Sequence, residues 1–182
     1  MDHLPVDENK PTAGVIAELL FTKFGNPKKA EVHMVNGQQG AKCIVLSLFC
    51  KETCGRDSCN QYGKWVHEKK IEFPVEILPD LIAATQAVQT SSSFEGKYRI
   101  SHVFAELCFS DSRGQKRLAI RAGYGQRTIN ELYLELSIKK CCDEKSCDDG
   151  RWEYENEVAI SSDVRHQFIN ALKEIDQATT HA

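Results

Sequence analysis

The chain has 182 residues, 41% hydrophobic and 27% charged, and its 26 acidic side chains against 23 Lys and Arg leave a formal charge of -3. That length suits one ordinary domain or two small ones of roughly 85 residues, and the supply of Leu, Ile, Val and Phe excludes disorder as a description of the whole chain. No apolar run approaches the ~18–20 residues that a membrane-spanning helix needs.

The first ten residues, MDHLPVDENK, are polar and acidic, without a basic region leading into an apolar stretch. They carry no secretory signal, and residues 1–12 read as a flexible N-terminus of an intracellular protein. The segment VIAELLF then places Val15, Ala17, Leu19 and Phe21 at period two, which predicts a strand with these four on one face. A turn at Phe24 to Pro27 follows, then a second strand presenting Ala30, Val32 and Met34, and a third presenting Ile44, Leu46, Leu48 and Cys50. A cysteine-containing loop leads to a fourth, with Ile71 and Phe73. The period then changes: Ile77, Leu81, Ile82, Thr85 and Val88 draw one stripe along a helix, with Pro79 tolerable in its first turn. The polar, Ser-rich run QTSSSFEGK from Gln89 to Lys97 closes this half, with 91–97 as linker.

The same order then recurs. AELLF at Ala17 to Phe21 returns as AELCF at Ala105 to Phe109, an offset of 88 that also carries Cys54 to Cys142 and Cys59 to Cys147. After one deleted residue the offset is 87, matching Trp65 with Trp152, Ile71 with Val158 and Phe73 with Ile160. The predicted strands present Val103, Ala105, Leu107 and Phe109, then Leu118, Ile120 and Ala122, then Leu132, Leu134, Leu136 and Ile138, then Val158 and Ile160. The helical stripe is Val164, Phe168, Ile169, Leu172 and Ile175, behind an N-cap at Ser161 to Asp163. This is a tandem duplication. A unit present only twice is too few for a solenoid, so it reads as a fused homodimer. The expected fold is α+β, with tandem β-β-β-β-α units at 13–90 and 98–178 forming an intramolecular pseudo-dimer, followed by a tail at 179–182. One helix covers only one face of a four-stranded sheet, so the other must meet water, a partner or the second repeat.

The stretches that carry this pattern are CIVLSLFCKETCGRDSCNQYGKWVHEKKIEFPVEILPDLIAATQAV and ELYLELSIKKCCDEKSCDDGRWEYENEVAISSDVRHQFINALKEI. In topology and pattern, from Ala13 to about Gln177, the chain resembles the single-stranded nucleic-acid-binding group that includes the Pur-alpha repeats, the plant Whirly proteins and the transcriptional positive cofactor 4. The resemblance implies dimers or fused repeats that bind single-stranded DNA or RNA over curved sheets and adjoining loops.

The face opposite the helix takes the alternate residues: Glu31, His33 and Val35 against Ala119, Arg121 and Gly123, and Val45, Ser47 and Phe49 against Tyr133, Glu135 and Ser137. Phe49 and Tyr133 there could stack bases, at ~1–3 kcal/mol each. His33 and Arg121, at matched positions, could meet phosphate. The turns between first and second strands add Lys28, Lys29, Arg113, Lys116 and Arg117, and Lys51 and Lys139 lie at the ends of the third strands. The same residues also fit solvated turns and edges, with the aromatics packed between repeats. Glu18 and Glu106 share a repeat position among apolar neighbours, as an obstacle to phosphate or as structural acceptors.

Cys54 and Cys59 occupy a loop equivalent to that of Cys142 and Cys147. Four thiolates could hold zinc if the loops meet, and three with His67 could do so inside the first repeat. A disulfide in each repeat and unpartnered thiols are the alternatives. Cys43 and Cys108 read as strand thiols.

No phosphate-binding loop, dinucleotide fingerprint, HExxH or GxSxG motif is present, and the histidines form no repeated pair with a carboxylate or thiol. The expectation is a non-enzymatic binder of single-stranded DNA or RNA in gene or RNA regulation, nuclear or cytoplasmic, not membrane-bound, with self-association open. The competing expectation is a protein-interaction or dimerisation adaptor that retains the fold. Net acidity and the acidic segment at Asp143, Glu144, Asp148, Asp149, Glu153, Glu155 and Glu157 favour that version.

Overall fold

Strands β1 (Val15–Lys23), β2 (Asn26–Asn36), β3 (Lys42–Lys51) and β4 (Trp65–Pro74) pair antiparallel in chain order, and β5 (His102–Asp111), β6 (Gly114–Tyr124), β7 (Ile129–Lys140) and β8 (Arg151–Ile160) build a second sheet in the same order. A 3-10 turn at Val75–Ile77 leads into helix α1 (Leu78–Thr90), and another at Ser162–Val164 leads into α2 (Arg165–Thr180). The computed structural model describes residues 14–23, 26–37, 40–51, 63–90, 102–124, 129–140 and 150–180. The fold is therefore a mixed α+β arrangement of two like units.

Alternation decides which side of each strand is dry. Leu19, Phe21, Ala30, Val32, Ile44, Leu46, Leu48, Ile71 and Phe73 are buried on one face of the first sheet, and Leu118, Ile120, Leu132, Leu134, Leu136, Val158 and Ile160 on one face of the second. Burial of each large side chain contributes about 1.5–3 kcal/mol. The helical stripes join them: Leu78, Leu81, Thr85 and Val88 from α1, Phe168, Leu172 and Ile175 from α2. Buried Thr85 meets its hydrogen-bond demand by donating its hydroxyl to the Leu81 and Ile82 carbonyls at 2.9 Å each. Pro79 sits in the first turn, where no intrahelical N–H bond is lost. Ser161 caps the second helical segment by accepting from the Asp163 N–H at 3.4 Å.

The helices do not simply cover their own sheets. α1 packs against β5, β6 and β7 of the second sheet and against α2, while α2 packs against β1 of the first. A single continuous core draws residues from both halves. Each half thus supplies part of the other's dry face.

Two pairs of β-bulges interrupt the alternation at equivalent places. In β1 the register shifts between Val15 and Ala17, so Val15 lies opposite His33 while Ala17 lies opposite Val32. In β5 the shift falls between Val103 and Ala105, and Val103 lies opposite Arg121. The expectation that Val15 and Val103 share a face with the next three alternate residues is corrected accordingly. One extra residue reverses which side a side chain takes. Among the described residues no helix is long and apolar enough to cross a membrane.

Candidate nucleic-acid interface

The second pair of bulges shapes the outer faces, away from the core. In β4, Leu48 pairs with Lys69 but Phe49 pairs with His67, leaving Glu68 as the extra residue. In β8, Leu136 pairs with Asn156 but Ser137 pairs with Tyr154, leaving Glu155 as the extra residue. Trp65 and His67 have the same parity as core residues Ile71 and Phe73, and a regular strand would bury all four together. The bulge instead sets Trp65 across from Lys51 and His67 across from Phe49, on the outer face. Trp152 and Tyr154 are carried out in the same way, opposite Lys139 and Ser137. The inserted glutamates each take a lysine: Lys28 Nζ lies 2.7 Å from Glu68, and Lys116 Nζ lies 3.2 Å from Glu155.

On the first outer face a cross-strand row runs Leu20, Lys29, Phe49, His67. The Lys29 ammonium lies 5.0 Å from the Phe49 ring centre and 5.4 Å from that of Trp65. These separations fall within cation–π range. Lys51 also approaches Trp65, at 5.7 Å from its ring centre, and the His67 ring stands edge-on to Phe49 at 5.4 Å. Lys29 is held by carboxylates, with Glu31 at 2.6 Å and Glu18 at 3.5 Å. The second oxygen of buried Glu31 meets His33 Nε2 at 3.0 Å. Leu20, 57% exposed, leaves the edge of this row apolar and open.

The second outer face repeats the arrangement with different residues. Arg117 occupies the Lys29 position, its guanidinium 4.8 Å from the Trp152 ring centre and 3.2 Å from Glu106. Ser137 stands where the first face has Phe49, and Cys108 where it has Leu20. Arg121 meets Glu135 at 3.3 Å. Tyr133 donates its hydroxyl to Glu131 at 2.6 Å, and its ring lies over Gly123, where any Cβ would collide with it. Burial, then the bond to Glu131 and the charges of Glu131 and Glu157, push the Tyr133 pKa up. Tyr154, 60% exposed, is shifted the same way by partial burial and then by Glu157 and Glu135. Lys23, at the end of β1, reaches across to this face, 3.0 Å from Glu131 and 5.2 Å from the Tyr133 ring centre.

The residues expected from sequence divide by position. Lys29, His33, Phe49 and Lys51 gather on the first outer face, and Arg117, Arg121, Tyr133 and Lys139 on the second. Lys28 lies on the opposite side of its strand, bound to Glu68. Lys116 is its counterpart and is 0% exposed, with its ammonium 2.9 Å from Asp111 and 3.2 Å from Glu155. Arg113, in the β5–β6 turn, meets Glu155 at 3.0 Å. Glu18 and Glu106, ambiguous in the sequence, each hold the cation beside a tryptophan. Sequence reasoning missed both tryptophans as surface residues. Their recurrence was visible, but nothing local marks the bulges that turn them outward.

Cys54, Cys59, Cys142 and Cys147 lie outside the described residues. Among the described residues no group of three or more His, Cys, Asp or Glu is arranged to hold a metal ion. Cys43, Cys50 and Cys108 are free thiols. Burial, followed by the charges of Glu72, Glu76 and Asp111, raises the Cys43 pKa and keeps it a thiol at neutral pH.

No protein-family model matches the chain, and a comparison with curated protein sequences finds no match.

Proposed function

We propose that the protein is a non-enzymatic binder of single-stranded DNA or RNA in gene or RNA regulation inside the cell, built as a pseudo-dimer of two β-β-β-β-α units and using the outer faces of its sheets. One observation carries this reading: a glutamate, a cation and a tryptophan recur together on both faces, Glu18–Lys29–Trp65 and Glu106–Arg117–Trp152. Trp65 and His67 alternate along an edge strand, as do Trp152 and Tyr154. Two residues of strand rise separate such side chains by about 6.6–6.8 Å, a spacing that successive bases of an extended strand can match. Each stacked base contributes about 1–3 kcal/mol without regard to sequence. The neighbouring cations offer phosphate contacts by exchanging a carboxylate for a phosphate oxygen. Because that exchange replaces one anion with another, stacking carries more of the affinity than charge does.

Fluorescence anisotropy with labelled oligodeoxythymidine and oligouridine at low salt tests the proposal. Saturable binding is expected, weakened when Trp65 and Trp152 are replaced by Ala. No binding by the intact chain at low salt overturns it.

A protein partner is the second reading, favoured by the second outer face. There Arg117 and Arg121 are each engaged by a glutamate, and Glu157 adds to the acidity. Such a surface suits a basic protein. Co-purification of a stable partner without nucleic-acid absorbance would favour it.

A further inference from the structure

The edges of the two sheets meet where β4 runs beside β8, and the Asn156 side-chain amide donates to the Lys70 carbonyl at 2.9 Å. A groove opens on each side of this seam. The larger, about 330 Å³, is lined by His67, Lys69, Lys70, Glu72 and Arg113, among others. The smaller, about 220 Å³, is lined by Lys23, Lys28, Glu68, Lys69, Glu157 and Ala159, among others. Matching the repeats exchanges one for the other: Lys69 corresponds to Asn156, Lys70 to Glu157 and Glu72 to Ala159.

Charge separates the two. In the larger groove Arg113 is cancelled by Glu155, and Glu68 by Lys28. Lys69 and Lys70 have no carboxylate within ion-pair distance among the described residues, and they stand against Glu72 alone, leaving one positive charge in excess. In the smaller groove Lys23 is taken by Glu131 and Lys28 by Glu68, so Lys69 stands against Glu157 and nothing remains in excess. The larger groove also begins at His67, whose ring adjoins Phe49, so it continues the first aromatic platform.

We propose that the larger groove is a phosphodiester track: a single strand stacked on Phe49 and Trp65 leaves the first sheet through it, with backbone phosphates on Lys69 and Lys70, and so crosses to the second half. The inference rests on the nucleic-acid reading above and adds a route and an asymmetry to it. Only one of the two seam grooves carries the strand.

The test is the salt dependence of oligodeoxythymidine binding by the full chain. Each phosphate neutralised on a single strand contributes about 0.7 to the slope of log affinity against log salt. Lys69→Ala/Lys70→Ala is expected to flatten that slope by about 1.4, while Glu157→Lys, which gives the smaller groove a lysine where the larger has Lys70, steepens it by about 0.7. Lys173→Ala on α2 is expected to leave it unchanged. Binding with an unaltered slope in the Lys69/Lys70 variant overturns the track while leaving the nucleic-acid reading intact. An equal flattening in Lys173→Ala also overturns the track, because the effect is then one of total charge. Absence of binding by the unmodified chain overturns both. Lys69 and Lys70 lie outside the core, so circular dichroism of the variants should match that of the parent.

Discussion

The two outer faces share a plan and differ in what fills it. Where the first has Cys43, Ser47 and Lys70, the second has Glu131, Glu135 and Glu157; the reverse changes, Glu31 to Ala119 and Glu72 to Ala159, return only part of that charge. Phe49 gives way to Ser137 and Leu20 to Cys108. The first face is thus the less acidic, and its central cation Lys29 lies beside two rings, whereas Arg117 has one. Duplication preserved the cation–tryptophan pair and the bulge that exposes it, and divergence then kept a second ring beside the cation in one half and placed more carboxylates in the other. Conserved backbone geometry and diverged chemistry have separable consequences, and each can be tested alone.

The largest expected effect is on binding. Trp65→Ala and Phe49→Ala should each weaken single-strand affinity by about 1–3 kcal/mol, roughly 5- to 150-fold, as read by anisotropy. Trp152→Ala should cost clearly less, because Ser137 in place of Phe49 leaves Arg117 beside one ring and the face is ringed by acids. Equal losses at Trp65 and Trp152 would erase the asymmetry between the faces.

A second difference lies at the helix starts. Leu78 begins α1 in the core, and Arg165 holds the matched position in α2. Arg165 is only 5% exposed, its Nε and Nη2 have no hydrogen-bond partner among the described residues, and burial lowers its pKa. A buried, poorly compensated cation opposes folding, whereas Leu in the same environment stabilises it. Arg165→Leu should therefore raise stability by about 1–3 kcal/mol, with about 2–4 °C of melting temperature per kcal/mol, measured by calorimetry. A lowered melting temperature would mean that the guanidinium is compensated in the folded state and overturn this assignment. A smaller effect is expected from Ser137→Phe, which rebuilds the Phe49 platform on the second face. It should tighten single-strand binding several-fold, within the same stacking scale, and a loss would show that acidity overrides the added ring.

Much of this architecture was legible in the chain. Period-two runs such as Ile44–Leu46–Leu48 located strands because a half-buried strand has no other way to sort its side chains, and the recurrence at offsets 88 and 87 gave the duplication. Three things were not legible. A bulge has no local signature, so Val15 and Val103 were assigned to the wrong face and Trp65 and Trp152 were overlooked. The packing of α1 on the following sheet depends on how two apolar stripes find each other in space, which periodicity cannot encode. Lysines of the two equivalent turns looked alike, yet Lys29 lies on the outer face while Lys116, on the other side of its strand, is enclosed by Asp111 and Glu155. Strand parity and the inserted glutamate decide that, not composition.

The smallest expected effect concerns the hairpin turns, where the halves differ in sign. Lys23 crosses to Glu131 of the other half, but its counterpart Asp111 turns back, 2.9 Å from Lys116 and accepting the Arg113 N–H at 2.7 Å. Burial pushes the Asp111 pKa up, but the Lys116 and Arg113 bonds and charges outweigh it and hold the carboxyl below its ordinary 3.8. A carboxyl with a depressed folded pKa stabilises the fold fully above its unfolded value and ceases to do so as pH falls through the folded one. Asp111→Asn should therefore melt below the parent by a constant margin from pH 7 to 5, and the margin should shrink below about pH 4 as the parent loses the same interaction. A margin unchanged down to pH 3 would mean that the ion pair contributes nothing and that Lys116 is held by Glu155 alone. The turn of the second half would then owe its conformation to packing, as a neutral hairpin would.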